Sequence, residues 1–261
     1  MLSDGLADLV VGPVAYRDLP KLIPSLLEDD LDKVVSVQLS LDETYADITP
    51  VRRPQPQQHQ QPNGAATTPV SVFVSVMRGC NNMCSYCVVP FTRGRERSRP
   101  LASIVEECTK LIQQDGVKEI VLLGQNVNSY HDRSEEAVLA NPSTRYETSS
   151  NAFSNTYRTR GGAGHYFSDL VDAVSTLDPE VRVRFTSPHP KDYPTELLQL
   201  MAERPNVCNQ LHMPAQSGSS TVLQRMRRGY TREAYLDLID TVRLTIPDVA
   251  LSSDFIAGFL W

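Results

Sequence analysis

Val70-Ser-Val-Phe-Val-Ser-Val-Met-Arg-Gly-Cys-Asn-Asn-Met-Cys-Ser-Tyr-Cys-Val-Val-Pro90 joins a β-patterned run to three cysteines spaced Cys-x3-Cys-x2-Cys. Residues 70–77 are rich in β-branched side chains and are bounded by Pro69 and Gly79, the composition of a strand. Cys80, Cys84 and Cys87 follow at its end. A cubane 4Fe-4S cluster has four irons, each needing one ligand beyond its sulfides, and thiolates are the usual protein ligands. Three cysteines therefore leave one iron open to a small molecule, as catalytic metal sites keep an open position. A structural zinc module is the competing reading, but it wants four ligands, and the nearest histidines, His59 and His131, lie in polar stretches. A disulfide framework fits worse, because the 261 residues hold only five cysteines and the first residues do not read as a secretory signal peptide. Cys108 and Cys208 read as buried structural residues.

Outward from this stretch, strands and helices alternate. Ile104 to Ile112 has helical apolar spacing, Gly116 closes that helix, and Glu119 to Leu123 reads as the next strand. Further helices are expected at 165–177, 195–203, 219–227 and 231–245, with strands at 181–185, 207–212 and 249–255. Repeated βα alternation implies a parallel sheet with crossover helices, hence an α/β barrel-like fold. Such folds put functional loops at the carboxyl ends of their strands. The cysteines, Gly124-Gln-Asn126, Ser187-Pro-His189 and Pro214-Ala-Gln-Ser-Gly218 all fall there, which points to one shared site.

The remaining segments differ in composition. Residues 1–49 contain a strand ending near Val11 and a helix over Arg17–Asp30 interrupted by Pro20 and Pro24. Residues 50–69 are a Pro/Gln-rich linker. Residues 131–165 are rich in Ser, Thr, Asn, Arg and Gly and too long for an ordinary βα loop, so a mobile insertion is expected, whose Tyr146, Tyr157 and Tyr166 are candidates for stacking RNA bases. No run of about 18 apolar residues occurs, so no membrane partner is expected. A net charge of −6 argues against a surface coated with generic nucleic-acid-binding charge. RNA affinity would have to be local, at Arg93, Arg95, Arg97 and Arg99 or at Arg225, Arg227, Arg228 and Arg232, since arginine pairs bidentately with phosphate; a solvated loop or helix end is the alternative for both groups and the preferred reading of the second.

Cys-x3-Cys-x2-Cys with an aromatic residue before the last cysteine resembles the signature of the radical S-adenosylmethionine (SAM) enzymes. The stretch from Arg78 to Arg99, Leu123-Gly-Gln-Asn-Val-Asn-Ser-Tyr130, Thr186-Ser-Pro-His-Pro190, Leu211-His-Met-Pro-Ala-Gln-Ser-Gly-Ser219 and Ser252-Ser-Asp-Phe-Ile-Ala-Gly-Phe259 look like the tRNA methylthiotransferases of the MiaB-like family, in the family's order. Within it the likeness is to the animal mitochondrial branch.

The resemblance implies an incomplete radical-SAM βα barrel over 70–261, preceded by the remnant of an N-terminal α/β methylthiotransferase domain. It implies that Cys80, Cys84 and Cys87 hold a 4Fe-4S cluster whose fourth iron is chelated by S-adenosyl-L-methionine. Tyr86 would pack on the adenine and Gly124 would permit close backbone approach to SAM. Gln125, Ser187 and Gln216 are candidates for polar contacts to SAM, against a role in loop-stabilising hydrogen bonds. His189, between two prolines, reads as a positioning residue, against a general acid. The implied activity adds a methylthio group to C2 of a modified adenosine next to the tRNA anticodon. It would use a reductant protein and a tRNA anticodon stem-loop held partly by Arg93, Arg95, Arg97 and Arg99. Mitochondrial location is implied with it.

The family uses a second cluster, and this chain has no cysteine before Cys80. It also ends before the family's last barrel unit and C-terminal RNA-binding domain, so activity of the chain alone is not expected. A regulatory protein that binds a kinase activator is the alternative, because the family's animal member is named for such an association.

Overall fold

The computed structural model describes residues 7–12, 15–28, 34–36, 70–142 and 162–259. The 50–69 linker, Tyr146 and Tyr157 lie outside them.

Near the N-terminus, β1 (Leu9–Val11), α1 (Leu19–Glu28) and β2 (Val34–Ser36) form a βαβ unit, with β1 and β2 paired in parallel. Pro20 sits at the second position of α1, where a missing N–H has no helical partner to lose. Pro24 lies inside the helix, which runs through it.

The main unit starts with β3 (Ser71–Ser75), whose residues alternate exposed and buried. The expected strand over 70–77 is shorter than its composition implies. Val76 N–H donates to the Leu123 carbonyl, and the chain then leaves the sheet. Met77–Arg78 forms β4, which pairs antiparallel with β5 (Arg97–Ser98) after the short helix α2 (Val89–Thr92). A hairpin therefore carries the cysteines.

α3 (Leu101–Gln113) buries Ile104, Cys108 and Leu111, one face at helical spacing. Gly116, at φ 62°, then turns the chain into β6 (Glu119–Leu123). Both ends of the expected mobile insertion are structured, with β7 (His131–Asp132) and α4 (Glu135–Ala140) at its start and β8 (His165–Tyr166) at its close. β7 pairs with β8, and Ser134 caps α4 by accepting from Ala137 N–H. Residues 143–161 fall outside the described set.

α5 (Phe167–Ser175), β9 (Arg182–Phe185), α6 (Thr195–Glu203), β10 (Gln210–His212), α7 (Ser220–Arg225), α8 (Arg232–Thr245) and β11 (Ala250–Ser252) complete the alternation.

β3, β6 and β9 make a parallel sheet in that order, and β10 pairs in parallel with β11. A parallel bridge from Val183 to Val207 continues the wall toward β10. Among the described residues no pairing joins β11 back to β3, so the wall stays open. This is the expected incomplete βα barrel. Its core lies between strands and helices: Val72, Val74, Ile120, Leu122 and Val183 pack with Leu170, Val171, Leu197, Leu198 and Leu238.

Candidate functional site

β3 and the turn into β4 deliver residues 79–88 to the carboxyl edge of the sheet. Gly79 has φ 75°, and a Cβ on it would lie 2.2 Å from the Arg95 carbonyl oxygen, so only glycine lets the chain pass there. Its N–H donates to Gln125 Oε1 at 2.6 Å, which ties the loop after β3 to the loop after β6. Cys80 N–H donates to the Gly94 carbonyl, and Cys87 N–H to that of Cys84. Asn82 N–H points at Cys80 Sγ, 3.3 Å away, an amide poised for a thiolate.

Cys80 and Cys84 are buried and Cys87 is half-buried. Burial pushes the Cys80 thiol up to about 12, partly offset by the Asn82 amide, so a thiolate there needs a bound cation. Among the described residues no three Cys, His, Asp or Glu side chains converge closely enough to hold a metal as they stand. Closing the triplet around a cluster thus takes a rearrangement of its side chains. The surroundings fit such a group in other respects. The donors are three thiols on one loop, as cluster ligation requires. Two buried polar atoms, Asn82 Nδ2 in the cysteine loop and Asn126 Oδ1 in the loop after β6, have no hydrogen-bond partner among the described residues.

The other strand ends gather at the same edge. Val127 N–H donates to the Ser187 carbonyl, and Asn128 holds the segment after β9 by bonding the backbone of His189 and Asp192. Asn126 Nδ2 adds a bond to Asp192 Oδ2. His189 is buried and its Nδ1 accepts from Lys191 N–H, the positioning role expected of it. Across the open side, Gln216 forms a parallel bridge opposite Phe255: its N–H donates to the Asp254 carbonyl and its carbonyl accepts from Ile256 N–H. Ser187 and Gln216 have φ of 60° and 67° and, with Arg227, are the non-glycine residues at positive φ among those described. Side chains held in that region mark strained, often functional, turns.

Several expected contacts take a different form. Gly124 is tight against its own protein: an added Cβ would lie 2.5 Å from Met77 Cγ and 3.0 Å from Val127 Cα, which accounts for the glycine without a ligand. Gln125 uses its side-chain oxygen as a loop tie. Tyr86 lies at the surface, 37% exposed, and partial burial moves its phenol up to about 12.

Arg93 and Arg95 are exposed and Arg97 is half-buried in β5. Arg99 must be removed from the substrate-facing set. It is 7% exposed, pairs with Glu107 at 2.7 Å and donates to the Ser75 carbonyl and Ser103 Oγ, so its charge is spent inside the fold. Arg228 is a second correction: it is 4% exposed, with Nη1 3.5 Å from Cys84 Sγ. In the sequence it belonged to a basic group of four, and nothing in Arg225-Met-Arg-Arg-Gly-Tyr230 tells which arginine turns inward.

The comparisons bear on this geometry. Over 257 residues the chain is 57% identical to a CDK5RAP1-like protein of Oryza sativa subsp. japonica, covering 98% of this chain and 40% of that one. It is 56% identical over 254 residues to the mitochondrial tRNA methylthiotransferase CDK5RAP1 of Rattus norvegicus, covering 97% of this chain and 40% of the relative. The tRNA-2-methylthio-N(6)-dimethylallyladenosine synthase of Chloroherpeton thalassium is 43% identical over 257 residues, covering 98% of this chain and 47% of its own. The chain thus spans less than half the length of these relatives. Among solved structures, the radical S-adenosylmethionine methyltransferase TsrM from Kitasatospora setae superposes with a TM-score of 0.47 at 18% identity, over 72% of this chain and 31% of its own. The Radical SAM superfamily model matches residues 74–260, from inside β3 through all four strand-end loops, and the chain belongs to that superfamily, which implies a 4Fe-4S cluster and SAM.

Proposed function

We propose that this chain carries the cluster- and SAM-binding part of a tRNA methylthiotransferase that adds a methylthio group to C2 of a modified adenosine beside the anticodon. One observation carries the reading: the cysteine loop, the Gly124–Asn126 loop, Ser187 and Gln216 follow the carboxyl ends of successive parallel strands, β3, β6, β9 and β10. Similarity to tRNA-modifying relatives over nearly all of this chain supports the substrate class.

Cys80, Cys84 and Cys87 would hold the cluster, with SAM on its open iron. When bound, the pair supplies one-electron cleavage of a carbon–sulfur bond in SAM. The chain supplies placement. Gly79 and Gln125 lock the cysteine loop to the sheet, and the Asn82 amide favours sulfur anion at Cys80. Ser187 and Gln216, held in strained turns, would offer polar groups to SAM, and Tyr86 would pack against its adenine. Arg93 and Arg95, exposed just beyond the loop, take RNA phosphates, with Arg97 behind them. The cysteines of this chain suffice for one cluster, since Cys108 is buried in α3 and Cys208 lies apart before β10. The sulfur for transfer would come from a second cluster outside these residues. The name of the rat relative supports a mitochondrial setting, and the one-electron step would need a reductant protein.

The test is anaerobic reconstitution with iron and sulfide. About four irons and four sulfides per chain are expected, with loss of nearly all in Cys80→Ala, Cys84→Ala or Cys87→Ala. One zinc and no sulfide would instead favour a structural zinc module.

A further inference from the structure

Arg228 is a buried guanidinium that cannot shed its proton. Its Nε donates to Tyr230 Oη at 3.0 Å, its Nη2 to the Pro214 carbonyl at 3.0 Å, and its Nη1 faces Cys84 Sγ at 3.5 Å. Its guanidinium carbon stands 5.4 Å from the Tyr230 ring centre. No carboxylate pairs with it among the described residues. A buried cation with only neutral oxygen partners is costly unless an anion is supplied, and the group in reach that can supply one is the sulfur of Cys84. The placement is fixed from both sides. Ser85 donates from N–H to the Met226 carbonyl and from Oγ to the Arg225 carbonyl, and Arg227, at φ 57°, makes the turn that sends the next side chain inward. Tyr230 Oη is within hydrogen-bond reach of the Pro214 and Ala215 carbonyls, joining this turn to the loop after β10.

We propose that Arg228 is a positioning residue that sets the reduction potential of the cluster on the cysteine loop, through its contact with Cys84. The inference rests on the cluster reading above. Reduction adds one electron, and so one negative charge, to the cluster core and breaks no bond. A fixed cation against a ligand sulfur favours the reduced form.

The experiment titrates the reconstituted chain with dithionite as electron donor and follows the reduced cluster by electron paramagnetic resonance. Arg228→Met and Arg228→Gln should lower the equilibrium constant for reduction at least tenfold, about 59 mV more negative for one electron. Arg228→Lys should recover most of that shift. Glutamine keeps one donor toward the Pro214 carbonyl and serves if the methionine chain does not fold by circular dichroism. Unchanged potentials in a folded, iron-loaded neutral variant would overturn the proposal. So would failure of all three variants, lysine included, to fold, which would make Arg228 a packing residue. If the wild-type chain itself takes up no iron, the cluster reading fails instead, and the two failures are thereby distinguished.

Discussion

Val72, Val74, Ile120, Leu122, Val183 and Phe185 leave the three central strands toward the helices and are at most 9% exposed, whereas Ser71, Phe73, Glu119, Arg182 and Arg184 leave the opposite side of the same strands and stay within reach of water. Phe73 is 64% exposed. The open side carries a polar ladder: Ser71 Oγ and Arg184 Nε both donate to Glu119, and Arg184 Nη1 continues to Gln210 on β10. Beside it His212 bonds Ser252 and Asp254. Burial on one side supplies the free energy that lets the other side and the strand ends keep strained turns and buried polar atoms.

One truncation on each side of the sheet separates the two by the largest expected effect. Leu122→Ala should cost about 2–5 kcal/mol of unfolding free energy, because it leaves a cavity between sheet and helices. Phe73→Ala should move stability by no more than about 0.5 kcal/mol. Urea unfolding read by circular dichroism measures both. Similar losses from the two would mean that the open side is as much a core as the other.

Gly124→Ala probes the strand end between the sides. Its new methyl would press on Met77 and Val127, for an expected loss of about 1–3 kcal/mol in the unloaded chain. A variant of unchanged stability that binds SAM poorly would restore the ligand explanation of this glycine.

The ladder itself should be worth about 1 kcal/mol, since its ion pair is partly solvated. The bond from Arg184, helped by that from Ser71, holds the Glu119 carboxyl below its ordinary value of 4.5. A folded-state pKa below the unfolded one gives stability that is present above the unfolded value and lost as pH falls through the folded one. Glu119→Gln should therefore lower stability at pH 7 and change it little once the medium is acid enough to protonate Glu119 in the native chain. A loss of equal size at both ends of the pH series would assign the ladder to packing.

The helix-covered side was legible in the sequence and the site was legible only in outline, for a physical reason. β6 and α6 begin and end where the apolar pattern does, because β6 is buried throughout its middle, Ile120 to Leu122, and α6 buries one helical face. β3 ends early because Val76, though strand-like, spends its N–H on Leu123 and frees Met77 for a hairpin that depends on Arg97 and Ser98, residues about twenty positions away. The cysteines and the strand-end loops were visible because their residue types are chemical. Arg99 and Arg228 read, in sequence, like arginines that face phosphate, because nothing local shows that Arg99 turns to Glu107 and the Ser75 carbonyl or that Arg228 turns to the Pro214 carbonyl and the Cys84 thiol.

Ser187 gives the smallest and most discriminating test of the strand-end region. Its φ of 60° costs a serine on the order of 1 kcal/mol that glycine does not pay. Glycine, in turn, gains about as much freedom in the unfolded chain. Ser187→Gly should thus leave stability within about 0.5 kcal/mol, while its backbone carbonyl still accepts from Val127. What disappears is an exposed hydroxyl. If that hydroxyl contacts SAM, the loss of one neutral hydrogen bond should weaken SAM binding to the reconstituted chain roughly two- to tenfold, read by calorimetry. Unchanged affinity with unchanged stability would show that the strained turn serves the backbone of this edge and not its ligand.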